Sequence, residues 1–544
     1  DSIVNLNSNF TKTGGTLTSD TATLKLTNSA SINSNNGVSF KVLDLNNKVL
    51  TLGSGTSDLT VTNAVTLDAQ DEEIIAGSAD LTLSGGFTLT NGKITSSGGV
   101  LGVGNASTIG ADGTMKISGG GVVLNAGLTV AGVLQTENSP TFTLNNNALD
   151  LSGGQAAGGV LEASGLLNLG GITFDEKSTI KLNADTELNS TIPITVKTVD
   201  MGAYGLKLGS ATTDLTISDD LTINQGQNTG IDTGSADLTL NSPVTVLGGG
   251  FKSIGGTITF GPNSEATSFA ENIGMELTDT VLVLQADVNI RNIMIAGTST
   301  VSIEAGKTLS GAVTVSAGTL KLDKTGTLAS TFSMSGGTLD ADESLTLSGV
   351  LTQSGNISID VAENKTLGYS GAAVNLGAKT LTMSGKGTFN NTNALVLNDA
   401  SSKLLLSNTG TVGSVSTSLA SLGVDVDEDS TITSLTVGHT TPVSIADGKT
   451  LSGGITVTAG SIKLGETGTL ASAVTMSGGT LDADETLTLS GALTQSGNIT
   501  IDVAENKTLG YSGAAVNLGA NTLTMNGKGT FSNTNALVLN DASS

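Results

Sequence analysis

Along most of the chain an apolar residue, a threonine and a second apolar residue form a triplet that ends at a short polar or glycine-rich break. Leu59-Thr60-Val61, Val65-Thr66-Leu67, Leu81-Thr82-Leu83, Leu215-Thr216-Ile217, Leu238-Thr239-Leu240, Leu345-Thr346-Leu347 and Leu523-Thr524-Met525 are examples. Alternation of this kind puts both apolar side chains on one face of an extended segment and threonine on the other, and threonine and valine suit strands. The pattern therefore predicts many short strands, each with one dry face. Between them stand Ser84-Gly85-Gly86, Asn91-Gly92, Ser118-Gly119-Gly120-Gly121 and Ser335-Gly336-Gly337, which supply the positive φ of tight turns. Helical periodicity is nearly absent, and the best candidate, 266–273, is short.

The same units recur in larger repeats. Residues 301–402 align without a gap on 443–544, an offset of 142, with 84 of 102 positions identical. Upstream the likeness continues in weaker form, with Leu284/Val426, Ile290/Ile432, Ile293/Leu435 and Ile295/Val437 keeping apolar character. A more diverged duplication relates FKVLDLNNKVLTLGSGTSDLTV from Phe40 to VKTVDMGAYGLKLGSATTDLTI from Val196, an offset of about 156, and GSADLTL recurs at Gly77 and Gly234. We accordingly divide the chain into 1–300 with diverged repeats, a repeat 301–442 and a partial copy 443–544. Between the late copies Val313 becomes Ile455, Leu320 becomes Ile462 and Phe332 becomes Val474, whereas Lys324 becomes Glu466 and Asp323 becomes Gly465. Apolar positions keep their character while a charge reverses, as expected of a buried stripe beside a solvated face.

Two all-β architectures fit many short strands. Tandem sandwiches carry aromatic cores, and this chain of 544 residues is 3% aromatic, with no Trp and no Cys. An elongated parallel β-solenoid, or β-helix, fits better, because a thin coil is filled by Val, Leu, Ile and Ala and each coil covers the edge of the last. Coils of about 20 to 24 residues would give on the order of 25 coils and a rod roughly 120 Å long at ~4.8 Å per coil. Right-handed winding is the default for parallel crossovers. The segment around Ile3, Val4 and Leu6 begins strand-like at once, and no polar cap precedes it. Self-association end to end or side by side is therefore expected of such a chain.

Composition then narrows the function. The net charge is −25, from 48 acidic and 23 basic residues, and a polyanion of this kind repels nucleic acid and anionic headgroups. No apolar run approaches the roughly 20 residues of a membrane span. The first residue is Asp1 rather than Met, which suits a mature product or an excised fragment. After 402 the first late copy runs on to Pro442, whereas the second stops at Ser544, so the chain either ends inside a repeat or belongs to a longer one.

Low Cys and Trp, Gly/Ser/Thr/Asn enrichment, imperfect tandem copies, and strings such as GTLKL, GTLDADESLTLSG and GNISIDVAENKTL together resemble the large β-helical exoproteins of Gram-negative bacteria. These are the autotransporter passengers and filamentous-haemagglutinin-like adhesins. The resemblance implies an extracellular or cell-surface location and a role in filament or matrix building or in adhesion, with cell-surface or matrix components as partners. Neither a secretion-domain motif nor a membrane barrel is evident, so the export route stays open.

Candidate chemistry is sparse. A polysaccharide-active β-helix enzyme needs a base beside carboxylates or a spaced carboxylate pair. The only Arg and His are Arg291, at an outward strand position, and His439, in a turn, and the equivalent positions hold Thr433 and Gly297. No catalytic residue is assigned and no enzymatic activity is expected. Alternate carboxylates Asp425, Asp427 and Asp429, with Glu428 between, could offer oxygen ligands to Ca²⁺. No Gly-Gly-x-Gly-x-Asp repeat accompanies them, so a solvated charged edge is the favoured reading. The same reading covers Asp340-Ala341-Asp342-Glu343, its copy Asp482-Ala483-Asp484-Glu485, and Asp71-Glu72-Glu73. Tyr204, Tyr369 and Tyr511 are too dispersed for a sugar platform, although Tyr369 and Tyr511 could mark a wider coil. Stacked outward threonines could in principle match an ice lattice. The expected function is a secreted structural filament or matrix protomer; the alternative is the stalk of a surface adhesin.

Overall fold

The computed structural model describes residues 2–542 except 54, 138–140, 144–148, 151–159, 171–178, 210–211, 225–229, 266, 271–273 and 408–409. Every regular element among the described residues is a β-strand, as the alternating pattern predicts. Two compact units divide the chain, Asp1–Met275 and Glu276–Ser544. Each is built as a parallel β-solenoid, and the late copies both lie in the second.

In the first unit, Leu59–Val61, Val65–Leu67 and Glu73–Gly77 form the three sides of one coil, followed by Leu81–Leu83, Phe87–Leu89 and Lys93–Ser96 in the next. Leu59 stands beside Leu81 and Leu81 beside Leu101, Val65 beside Phe87, and Ile74 beside Ile94, all in parallel register. One turn of the chain thus takes 20 to 22 residues here, close to the length expected from the sequence. In the second unit, Thr338–Ala341, Leu345–Leu347 and Leu351–Gln353 form a coil in the same way. Leu339 pairs with Ile359 and Leu345 with Leu367 in the coil that follows.

Register and alternation together generate the core. Because parallel stacking aligns equivalent positions, the inward residues make continuous aliphatic columns: Leu50, Ile74, Ile94 and Met115 are adjacent in turn and fully buried. Burying each such side chain contributes about 1.5 to 3 kcal/mol. Buried hydroxyls occupy inner corners of the coil. The Ser34 N–H donates to Ser57 Oγ at 2.9 Å, and across the older duplication the Ser190 N–H donates to Thr213 Oγ1 at 3.0 Å.

The helical candidate at 266–273 is not a helix where it can be seen. Ser268–Phe269 forms a strand whose Phe269 is buried, while 266 and 271–273 lie outside the described residues. A single inward aromatic, extended backbone and parallel pairing to Thr245 and Val246 override weak helical spacing.

Where one strand runs on around a corner, glycine is required. Gly311 and Gly453 are equivalent, have φ of 118° and 115°, and each sits so close to the preceding coil that a Cβ would lie 1.8 Å from the Ile290 or Ile432 carbonyl oxygen. Gly311→Ala and Gly453→Ala are each expected to lower stability by at least about 2 kcal/mol. Gly306→Ala, at φ 75° in open space, should cost only about 1 kcal/mol. Denaturant midpoints of the full chain check this, and equal losses at all three sites would show that corner approach is not the constraint.

Candidate functional site

Parallel ladders satisfy strand backbones but stop at the corners, where amide donors still need acceptors. Carboxylates, and in one case the amide oxygen of Asn356, fill that role. The Asp80 N–H donates to Asp58 Oδ1 at 2.9 Å and the Val100 N–H to Asp80 Oδ1 at 2.7 Å. Across the 156-residue duplication, the Asp237 N–H reaches Asp214 Oδ1 at 2.9 Å and the Thr257 N–H reaches Asp237 Oδ1 at 2.7 Å. The second unit uses the same device: Thr308 N–H to Asp287 at 2.6 Å, Thr450 N–H to Asp429 at 2.8 Å, and Thr380 N–H to Asn356 at 2.9 Å. Sequence reasoning missed this role, although the recurrence of Asp just before Leu-Thr was its visible signal.

That finding bears on the calcium candidate. Asp429 accepts the Thr450 N–H, and Asp425 pairs with Lys403 one coil back. Asp427 is exposed at the end of the strand Gly423–Val426, and the intervening Glu428 pairs with Lys449 one coil on. Among the described residues no group of three or more His, Asp or Glu side chains is placed to hold a metal ion.

The other acidic clusters behave differently from one another. Glu72 corrects the expectation of a solvated edge: it is buried, Oε1 accepts the Asn47 N–H at 3.1 Å and Oε2 the Asp68 N–H at 2.9 Å. Two turns are thereby tied together by one carboxylate. In the second unit Lys321 Nζ lies 3.5 Å from Asp340 and 3.6 Å from Asp342, and Lys463 repeats the contact with Asp482 at 3.3 Å and Asp484 at 3.8 Å. Asp340 stacks beside Asp360, and Asp482 beside Asp502. Burial, followed by the adjacent Asp342 or Asp484, raises the Asp340 and Asp482 carboxyls above the ordinary range despite the nearby lysine.

Arg291 is an exposed outward residue of Val288–Ala296, and His439 is exposed in a bend, so the two bases fall where the sequence puts them. Tyr369 and Tyr511 are core groups. The Tyr369 hydroxyl donates to the Ala372 carbonyl at 2.6 Å and accepts the Leu351 N–H at 3.2 Å, while its ring stacks 6.1 Å from Phe389. Tyr511 repeats this arrangement with Ala514, Leu493 and Phe531. Nearby, buried Gln353 and Gln495 donate to the Thr380 and Thr522 carbonyls, both at 2.9 Å. A sugar platform is thus not what the paired tyrosines provide.

Outward threonines do stack. Thr195, Thr216, Thr239 and Thr259 form one column, and Thr436, Thr456, Thr475 and Thr494 another. On the face where Thr319 stands beside Thr338, the adjoining outward column is Lys321, Asp340 and Asp360. Threonine there runs in single file beside charge rather than as a broad regular array. Comparison with protein families, curated proteins and solved structures found no match.

Two measurements follow from these geometries. A carboxyl raised in the fold binds protons more tightly there than in the unfolded chain, so its contribution to stability grows as pH falls through the raised value towards the ordinary one. Asp340→Asn with Asp482→Asn should therefore stabilise the chain near neutral pH, by less than about 1 kcal/mol per site, and flatten stability against pH in the weakly acidic range. Unchanged pH dependence in calorimetric scans would contradict this. For calcium, chelator should leave the melting midpoint unmoved, whereas Asp429→Ala should cost about 1 kcal/mol through the lost Thr450 bond; a chelator-induced fall would restore the metal reading.

Proposed function

We propose that this chain is a secreted or cell-surface structural protein, a protomer or segment of a filament or matrix, without catalytic activity. The observation that carries the reading is where the reactive side chains are engaged. Asp58, Asp80, Asp214, Asp237, Asp287 and Asp429 hold backbone amides of adjacent coils, and Lys25, Lys207, Lys365 and Lys507 pair with carboxylates one coil away. Such groups serve cohesion between coils, and a solenoid closed in this way suits a mechanical role. A net charge of −25 favours partners other than nucleic acid. The likeness in style to bacterial β-helical exoproteins supports export and self-association, end to end or side by side.

A second reading, the stalk of a surface adhesin, rests on the same stacked coils, with recognition carried along an edge or by another part of a larger protein. Electron microscopy of material from the native source separates the two. Periodic fibres or bundles are expected for the first, and isolated rods anchored to cells would favour the stalk. Turnover of an acidic polysaccharide that disappears when neighbouring carboxylates become amides would overturn the non-enzymatic reading.

A further inference from the structure

The late duplication lies within one compact unit and spans a whole number of coils. From Thr298–Ile303 one face of the unit passes through Thr319–Leu322, Thr338–Ala341, Ile357–Val361, Thr380–Ser384, Lys403–Leu406 and Gly423–Val426 to Thr441–Ile445, seven steps in all. The 142-residue offset is therefore seven coils, and the second copy starts in the same phase as the first.

The two copies begin on different platforms. The first sits on the coil containing Val281–Leu284 and Val288–Ala296, the second on the coil containing Gly423–Val426 and Ser430–Val437. Outward residues of these platforms differ freely, with Val283 against Asp425, Arg291 against Thr433 and Met294 against Thr436. Their registers are the same. Leu282 pairs with Val301 and Leu284 with Ile303, as Val424 pairs with Val443 and Val426 with Ile445. Ile290 meets Gly311 and Ile293 meets Val313 across a bulge, as Ile432 meets Gly453 and Leu435 meets Ile455 across a bulge. One corner bond is also common to both junctions: Asp287 accepts the Thr308 N–H at 2.6 Å and Asp429 the Thr450 N–H at 2.8 Å.

The last coil of the 301–442 block is thus bound by a copy of the block's own first coil. We infer that the two end faces of this block are mutually complementary, so that it is a length module: further copies can be inserted in series, or one removed, without altering either neighbour. The partner that each end face fits is another copy of the same seven coils. Parallel stacking makes this possible because a coil recognises the strand register, inward aliphatics and corner acceptor of the coil below, and both platforms supply these. The inference rests on the registers and does not depend on the proposed mechanical role.

Three variants of the full chain test it. One lacks 301–442, one carries an additional copy of 301–442 after Pro442, and a control lacks 301–452, which also removes the strand Thr441–Ile445 beyond Pro442 and the start of Thr450–Val457 and so leaves the next coil without two of its sides. The first two are expected to keep the parent's strand content per residue, protease resistance and a melting midpoint within a few degrees. The contour of the second unit in electron micrographs should shorten or lengthen by about 34 Å, seven coils at about 4.8 Å each. The control should lose protease resistance and cooperative melting. Failure of either in-phase variant to fold, or a control as stable as they are, overturns the inference and leaves the role of the protein a separate question.

Discussion

The structure depends on one repeated interaction, the parallel pairing of strands in successive coils. Such pairing satisfies the backbone groups that face a neighbouring strand, yet leaves the corners of the coils to be closed by other means. Corner closure explains much of the composition. Aspartate and asparagine accept the first amide of a strand in the adjacent coil, as Asp80 does for Val100 and Asn356 for Thr380. Glycine permits the close approach seen at Gly311 and Gly453, and buried hydroxyls such as Ser57 and Thr213 reach the carbonyl and amide of the coil before them.

The duplicated block works as an internal mutational record of which interactions matter. Phe332 and Val474 occupy the same inward position and both are buried, as are Val313 and Ile455, so the column tolerates changes of volume where neighbouring aliphatics can adjust. Lys324 and Glu466 are both exposed, and the reversal of charge there leaves the pairings of the strands before and after it in place. Ser302 contacts Asp323 in the first copy, yet Gly465 stands at that place in the second. By contrast, the buried hydroxyls of Tyr369 and Tyr511 keep their partners in both copies. Loss of a surface contact is nearly neutral, whereas a buried tyrosine hydroxyl without its partners would carry a desolvation cost.

Fold class was legible because period-2 alternation and positive-φ breaks act locally: Leu81-Thr82-Leu83 reads as a half-buried strand without reference to anything distant. The coil period was less legible. Leu339 to Ile359 is a step of 20 residues and Ile359 to Met383 one of 24, because turns absorb extra residues while the strands keep register. Only the duplications, whose turn lengths were copied along with the strands, reveal a fixed spacing. Individual side chains divided along the same line. Arg291 and His439 could be placed from their immediate neighbours, but the burial of Glu72 depends on Asn47, 25 residues away, which no local pattern discloses. Tyr369 is likewise enclosed by a phenylalanine of the next coil.

Nearest-neighbour stacking also decides how such a chain can change. In a solenoid the stability is close to a sum of terms for each coil and for each interface between adjacent coils, so a change is tolerated when it leaves every interface of a kind already present. Substituting an outward residue meets that condition, and so does adding or removing whole coils whose end faces match. Shifting the strand phase does not, since one residue of slip turns an inward column outward. This selects duplications of integral coil number and lets the surface drift. A broad catalytic pocket or a regular two-dimensional array would instead require particular outward residues on several coils to stay in step. Val283, Arg291 and Met294 give way to Asp425, Thr433 and Thr436 at equivalent outward positions, and the strand registers of the two platforms are the same.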